Sequence, residues 1–245
     1  MVLRALSVFS IVVFALCVAE KLNLPVPICK REETNYTTCL LRAIKKSWPL
    51  FIKGLPAEFD FPPLDPYFHE YQKGVFDSGI IYGEVIVSNM TATGLRKTRF
   101  LAIRPQFSDD AFRLEADLYM PELFCEGTCE AQGNIGGFRM GGKGNFNLTI
   151  GGIESLWVIS GPVENDTWII NHFNIFPKPK SMKIYINNLF EGNRELNEIA
   201  TDFVNEYWPA LYRIMLPIVA EGWDEYFKDL VGGLLAKLSF SQIFP

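Results

Sequence analysis

Histidine is almost missing from this chain: His69 and His172 are the only two in 245 residues. General acid–base work near neutral pH leans on histidine, so candidates for it are few. Zinc takes four Cys or His ligands, and neither histidine has a cysteine near it in sequence. A G-x-S-x-G elbow is absent, which removes the usual strand-to-helix nucleophile of a lipase. Basic residues are outnumbered, 23 against 28 acidic ones, and a net charge of −5 argues against nucleic acid and against anionic membrane surfaces. Linker-like, low-complexity and short repetitive tracts are also lacking, so one elongated domain is the natural division. No catalytic residue, metal ligand or cofactor site is assigned.

Long apolar runs are confined to the start. Met1 to Arg4 carries one positive charge, Ala5 to Val18 is apolar, and small residues at Cys17 and Ala19 occupy the positions that a signal peptidase reads. Residues 1–19 are therefore read as a cleaved signal peptide and residues 20–245 as the folded chain. Spanning a bilayer takes roughly 20 apolar residues, more than this segment offers. The nearest later stretch, Tyr207 to Ala220, is broken by Pro209, Arg213 and Pro217, so stable membrane insertion is not expected. Four Asn-x-Thr triplets follow, at Asn35, Asn89, Asn147 and Asn165. Behind a cleavable leader they point to a secreted, extracellular glycoprotein.

Cleavage leaves Cys29, Cys39, Cys125 and Cys129. In an oxidising compartment an even number implies two disulfides, with three connectivities open. Local pairing is the simplest. Cys29–Cys39 would close a short loop, and Cys125–Cys129 a tighter one more prone to strain.

Three zones differ in hydrophobic period. Tyr36, Leu40, Ile44, Trp48 and Phe51 recur every three or four residues, which predicts a short amphipathic helix over 36–51. Residues 54–75 carry Pro56, Pro62, Pro63 and Pro66 and read as an irregular connector. From about 76 to 190 the period falls to two: Phe112, Leu114, Ala116, Leu118 and Met120 alternate with polar neighbours. Similar runs at 80–88, 97–104, 144–150, 153–160, 166–176 and 182–187 predict an antiparallel meander, with glycines between 133 and 152 curving it. After Asn188 the helical period returns. Leu196, Ile199, Phe203, Tyr207, Leu211, Ile214 and Ile218 begin an apolar stripe that continues through Tyr226, Leu230, Leu234 and Leu238. Pro209 and Pro217 should kink or divide that helix. A helix this long and apolar needs wrapping, and the curved sheet is the candidate. The fold class is thus α+β, a long C-terminal helix wrapped by a strongly curved antiparallel sheet, with a short N-terminal helix.

Gly137 to Gly144 nearly matches a phosphate-binding loop, but Gly144 stands where the Mg²⁺-binding hydroxyl belongs and alternating residues follow instead of a helix. A glycine-rich turn is the reading. A structural role is expected for His69, in the connector, and for His172, in a predicted strand.

The chain resembles the insect takeout and haemolymph juvenile-hormone-binding proteins. The resemblance rests on Cys29-Lys30-Arg31 with Cys39, Lys53-Gly54-Leu55-Pro56, Leu64-Asp65-Pro66, Gly141-Gly142-Lys143-Gly144, Asn188-Leu189-Phe190 with Gly192, Asn205-Glu206-Tyr207-Trp208 and Ile243-Phe244-Pro245. It implies the fold shared with bactericidal/permeability-increasing proteins, with a tunnel for an apolar ligand between helix and sheet. Relatives usually carry tyrosine two positions after the glycine matching Gly127; here Cys129 takes its place, so a polar anchor for the ligand head is lost. The close Cys125/Cys129 pair also departs from dedicated hormone carriers. The expectation is a non-enzymatic carrier of a hydrophobic small molecule such as a terpenoid or fatty acid, with Leu114, Leu118, Ile150, Phe203, Leu211 and Ile218 lining the tunnel. The alternative is an extracellular signalling module acting through a protein partner such as a cell-surface receptor.

Enzymatic deglycosylation of the secreted protein should increase its electrophoretic mobility. Unchanged mobility would refute use of all four sequons.

Overall fold

The computed structural model describes residues 21–77, 81–135, 138–188, 190 and 193–245; the expected leader, 1–19, lies outside them. Helix α1 (Tyr36–Lys53) follows the apolar spacing and buries Tyr36, Ser47, Trp48 and Ile52. A disulfide between Cys29 and Cys39 ties the incoming chain to its first turns. Closing so short a loop restricts the unfolded chain by a little under about 3 kcal/mol.

Eight strands follow among the described residues: β1 (Tyr67–Asp77), β2 (Ile81–Thr93), β3 (Arg99–Phe107), β4 (Ala111–Ile135), β5 (Phe138–Glu164), β6 (Thr167–Trp168), β7 (His172–Lys178) and β8 (Ser181–Asn187). The first corrects the sequence reading, because the connector ends at Pro66 and β1 begins immediately after it. The prolines hid it: they stop at Pro66, and the β1–β2 ladder starts with Tyr67 opposite Ala92. The 25-residue β4 and 27-residue β5 form one antiparallel hairpin paired from Ala111–Pro162 to Ile135–Phe138. At about 3.3 Å per residue each runs for roughly 80–90 Å of contour. The near-match to a phosphate loop lies in β5 from Phe138 onward, where residues 139–144 pair with β4 and form no cradle.

The hairpin divides the sheet into two halves. β3 pairs with the first part of β4 and β7 with the last part of β5. β2, with β1 outside it, pairs with the rest of β4, and β8 pairs with the first part of β5. The second half therefore reads β1-β2-β4-β5-β8 from edge to edge.

Helix α2 (Arg194–Ala236) is 43 residues long, begins at an Asn193 cap and contains Pro209 and Pro217 without being divided. It meets both edges of that half. On one side a β-carbon at Gly74 of β1 would lie 3.3 Å from Ile218, and on the other Asn205 bonds the backbone of Ile184 in β8. Four strand spacings laid flat would separate the edges by roughly 19 Å, too far for one helix to reach both. The sheet must curl around α2, as the sequence predicts. A final turn, α3 (Phe240–Ile243), closes the chain.

Tight packing concentrates at the α1 end. Trp48, Ile52, Phe100, Leu118, Met120, Ile153, Leu234 and Leu238 share one core, and Phe112, Trp168, Phe240 and Phe244 form an adjoining aromatic cluster. Leu118 is 1% exposed. Leu118→Ala should therefore lower unfolding stability by about 2–5 kcal/mol, read from the denaturation midpoint.

Candidate functional site

The other half is built differently. Direct cross-strand partners project on the same side of a sheet, so the pairs Tyr67–Ala92, Ala92–Cys125, Cys125–Leu148 and Leu148–Ile184 define one rung along the concave face. Ala92, Cys125, Cys129 and Phe146 are buried there, with Val87, Met90, Leu123, Ala131, Leu148, Ile184, Ile186 and Phe190 packed around them. No described side chain of α2 belongs to this cluster. At the α1 end, by contrast, α2 supplies Leu230, Val231, Leu234 and Leu235 to the packing.

The helix tells the same story. Leu234 is its one fully buried residue, while Val204, Trp208, Leu211, Met215, Ile218 and Val219 are all half-buried. An apolar helix face and an apolar sheet face thus look toward each other without interlocking. Close packing would have buried both.

Two seams hold α2 in place. Toward β7 and β8 the seam is polar: Asn205 Oδ1 accepts from Ile184 N and its Nδ2 donates to Ile184 O, each at 2.8 Å. Tyr212 donates to the Pro177 carbonyl at 2.8 Å, and Asp224 accepts from Phe173 N at 2.5 Å while pairing with His172 Nδ1 at 2.9 Å. Toward β1 the contacts are mainly packing: Ile218 and Met215 lie over Gly74, and Gly222 lies beside Gln72. An open cleft of about 690 Å³ follows β8 and the first turns of α2, but Lys183, Asn187, Arg194, Glu198 and Asp202 make it polar.

Where the halves meet, rings link the two edges through the helix. Trp157 of β5 contacts Phe173 of β7 (5.7 Å between centroids), Phe173 contacts Phe227 of α2 (5.3 Å), and Phe227 stacks on Tyr67 of β1 (6.2 Å). These rings floor the loose half.

The family model for haemolymph juvenile hormone binding protein matches residues 8–245. The chain belongs to this family. The circadian clock-controlled protein daywake of Drosophila melanogaster is 22% identical over 231 residues, covering 90% of this chain and 87% of daywake. Its counterpart in Drosophila yakuba is 21% identical over 230 residues. The crystal structure of Epiphyas postvittana Takeout 1 superposes with a TM-score of 0.72 at 20% identity, covering 89% of this chain and 98% of that one. The fold is that of Takeout 1.

Within this haemolymph juvenile hormone binding protein fold, the six expected lining residues do not come together. Leu118 is in the tight core, and Leu114 packs against both clusters of the α1 end. Ile150 borders the same core from the hairpin. Leu211 and Ile218 are half-buried on the inner side of α2, two turns apart. Phe203 is 53% exposed and its ring contacts Tyr207. At 100° per residue it lies across the helix from Thr201 and Asn205, which face β8, so it is on the outer surface. Alternation along a helix reveals an apolar stripe but not which flank of a wide stripe faces inward. The residues missed were on β1, which the prolines disguised. All four sequon asparagines are exposed, including Asn147, whose β5 neighbours Phe146 and Leu148 point inward.

Cys125 and Cys129 are not bridged; both are free and buried. Four residues apart on one extended strand, their α-carbons are roughly 13 Å from each other, about twice the reach of a disulfide. Local spacing permits pairing only where the chain turns back, and β4 runs straight through. Burial pushes the Cys125 thiol up to about 12 and that of Cys129 upward as well. A chain prepared from Glu20 onward should, when folded, give almost no reaction with a thiol reagent at pH 8, and two thiols per chain after denaturation without reductant. A count of zero in both states would restore the bridge.

Proposed function

We propose that this chain is a carrier of an elongated hydrophobic ligand, held between the concave sheet face and α2. The observation that carries the reading is the lack of interlocking there: the inner side chains of α2 do not join the Ala92–Cys125–Cys129–Phe146 cluster. Burying apolar ligand surface at roughly 25 cal/mol per Å² would supply the affinity. Leu211 and Ile218 from the helix, with Ile150 at the inner end, remain lining positions from the original six. A non-enzymatic role is supported by membership of a family named for hormone binding. Residues 1–19 serve as signal peptide, residues 20–245 as one elongated domain, and the glycosylated product acts outside the cell. Membership of a family named for juvenile hormone binding supports a terpenoid or related lipid as cargo.

A second reading is an extracellular module that signals through a protein partner such as a cell-surface receptor. It is favoured by an exposed apolar stripe on the outer side of α2, formed by Leu196, Ile199, Phe203, Tyr207 and Ile214.

Leu211→Phe separates lining from core. Added volume in the cavity should weaken displacement of a fluorescent fatty-acid probe several-fold while leaving the melting temperature of delipidated protein nearly unchanged. In a packed core the same change costs typically 1–3 kcal/mol. Normal probe affinity with a lowered melting temperature would assign Leu211 to the core, and failure of the wild type to bind any apolar probe would put the partner reading ahead.

A further inference from the structure

The concave face of the loose half is apolar on β2, β4, β5 and β8, where Val87, Met90, Ala92, Cys125, Cys129, Phe146, Leu148 and Ile184 cluster. Polar side chains enter from β1. Tyr67 opens the rung described above, and its hydroxyl lies 3.1 Å from His69 Nδ1. The ring of Tyr226 of α2 stands edge-on to Tyr67 at 5.4 Å and to His69 at 5.8 Å. Burial, reinforced by Tyr226, holds the Tyr67 hydroxyl well above the ordinary tyrosine range, so it stays protonated. Tyr67 also stacks on Phe227, which joins this group to the rings that floor the loose half.

The group is incomplete. His69 Nε2 is sealed from solvent and has no hydrogen-bond partner. A neutral imidazole offers one donor and one acceptor. With the Tyr67 hydroxyl on Nδ1, Nε2 takes the complementary role and needs one more oxygen. Leaving a buried polar atom unpaired is costly, and such exceptions in a native fold call for a partner. His172, the other histidine, has its carboxylate in Asp224.

We infer that His69 Nε2, backed by Tyr67 and Tyr226, binds the oxygen-bearing head group of the carried ligand, a carboxyl, carbonyl or hydroxyl, at the closed end of the cavity. The hydrocarbon chain then runs from the ring floor toward Met215 and Leu211. The inference rests on the carrier reading and gives it a polarity. It also places a head-group contact on β1, two strands away from Cys129 of β4, the position at which the family resemblance leads one to look for a tyrosine anchor.

The test compares palmitic acid, palmityl alcohol, methyl palmitate and hexadecane as competitors of a fluorescent probe on the full-length secreted protein. Wild type should prefer the oxygenated ligands over hexadecane by roughly tenfold, as expected for one buried hydrogen bond. His69→Phe keeps a ring in place and should abolish that preference without weakening hexadecane. A measurement on unmutated protein guards against misfolding of the variant: with only two histidines, ¹⁵N-imidazole labelling gives two readily assigned side chains. Palmityl alcohol should shift the His69 Nε2 signal and hexadecane should not. Equal affinity for all four ligands, or a His69 signal unmoved by every oxygenated one, overturns the head-group site alone, with a resident water as the partner of Nε2. Failure of all four to compete in wild type overturns the carrier reading and this site with it.

Discussion

Everything in this structure depends on one helix serving both edges of one sheet. A five-strand sheet left flat exposes two rows of unpaired backbone groups and one apolar face, and neither is stable in water. α2 answers both needs by lying along the inside of the curl. Its polar side chains substitute for a missing strand at β8 and β7, where Asn205 presents an amide donor and acceptor to Ile184 much as a neighbouring peptide would. Its small and apolar residues meet β1 at Gly74 and beside Gln72, where a β-carbon at Gly74 would crowd Ile218 and one at Gly222 would displace the Gln72 amide. Curvature is therefore a consequence of the closure, and the long β4–β5 hairpin transmits it through the molecule.

The two halves differ in how tightly they are packed. At the α1 end, Trp48, Phe100 and Trp157 pack edge to face, Phe112 is ringed by Trp168, Phe240 and Phe244, and the Cys29–Cys39 bridge fixes the approach to α1. Aromatic contacts of this kind add to the area they bury. With stability gathered there, the far half need not be close-packed. The same chain segment shows the contrast, since Leu234 is fully buried and Leu211 is not.

How much of this was legible in the sequence depended on whether one periodicity could be read without interruption. α1 and α2 are plain from apolar spacing, and the length of α2 together with the glycine-rich strands implies a wrapped helix. β1 is not, because Pro62, Pro63 and Pro66 stand just before it and its inward face shifts after His69, from Tyr67 and His69 to Gln72 and Gly74. The apolar positions were legible only as a set. An apolar alternation is the same whether it meets another side chain or a void, so Leu118 and Leu211 could not be told apart. His69 was the larger loss, since nothing in its neighbourhood of prolines and aromatics signals a buried, unpartnered nitrogen.

The paired thiols of β4 carry a consequence for chemistry rather than for packing. Terpenoids and oxidised lipids often bear epoxides or conjugated carbonyls, groups that alkylate thiolates readily. It is the thiolate that attacks. In the proposed carrier Cys125 and Cys129 would border such a molecule, and burial keeps both protonated at physiological pH. An electrophilic passenger could therefore rest beside two sulfur atoms and leave unmodified.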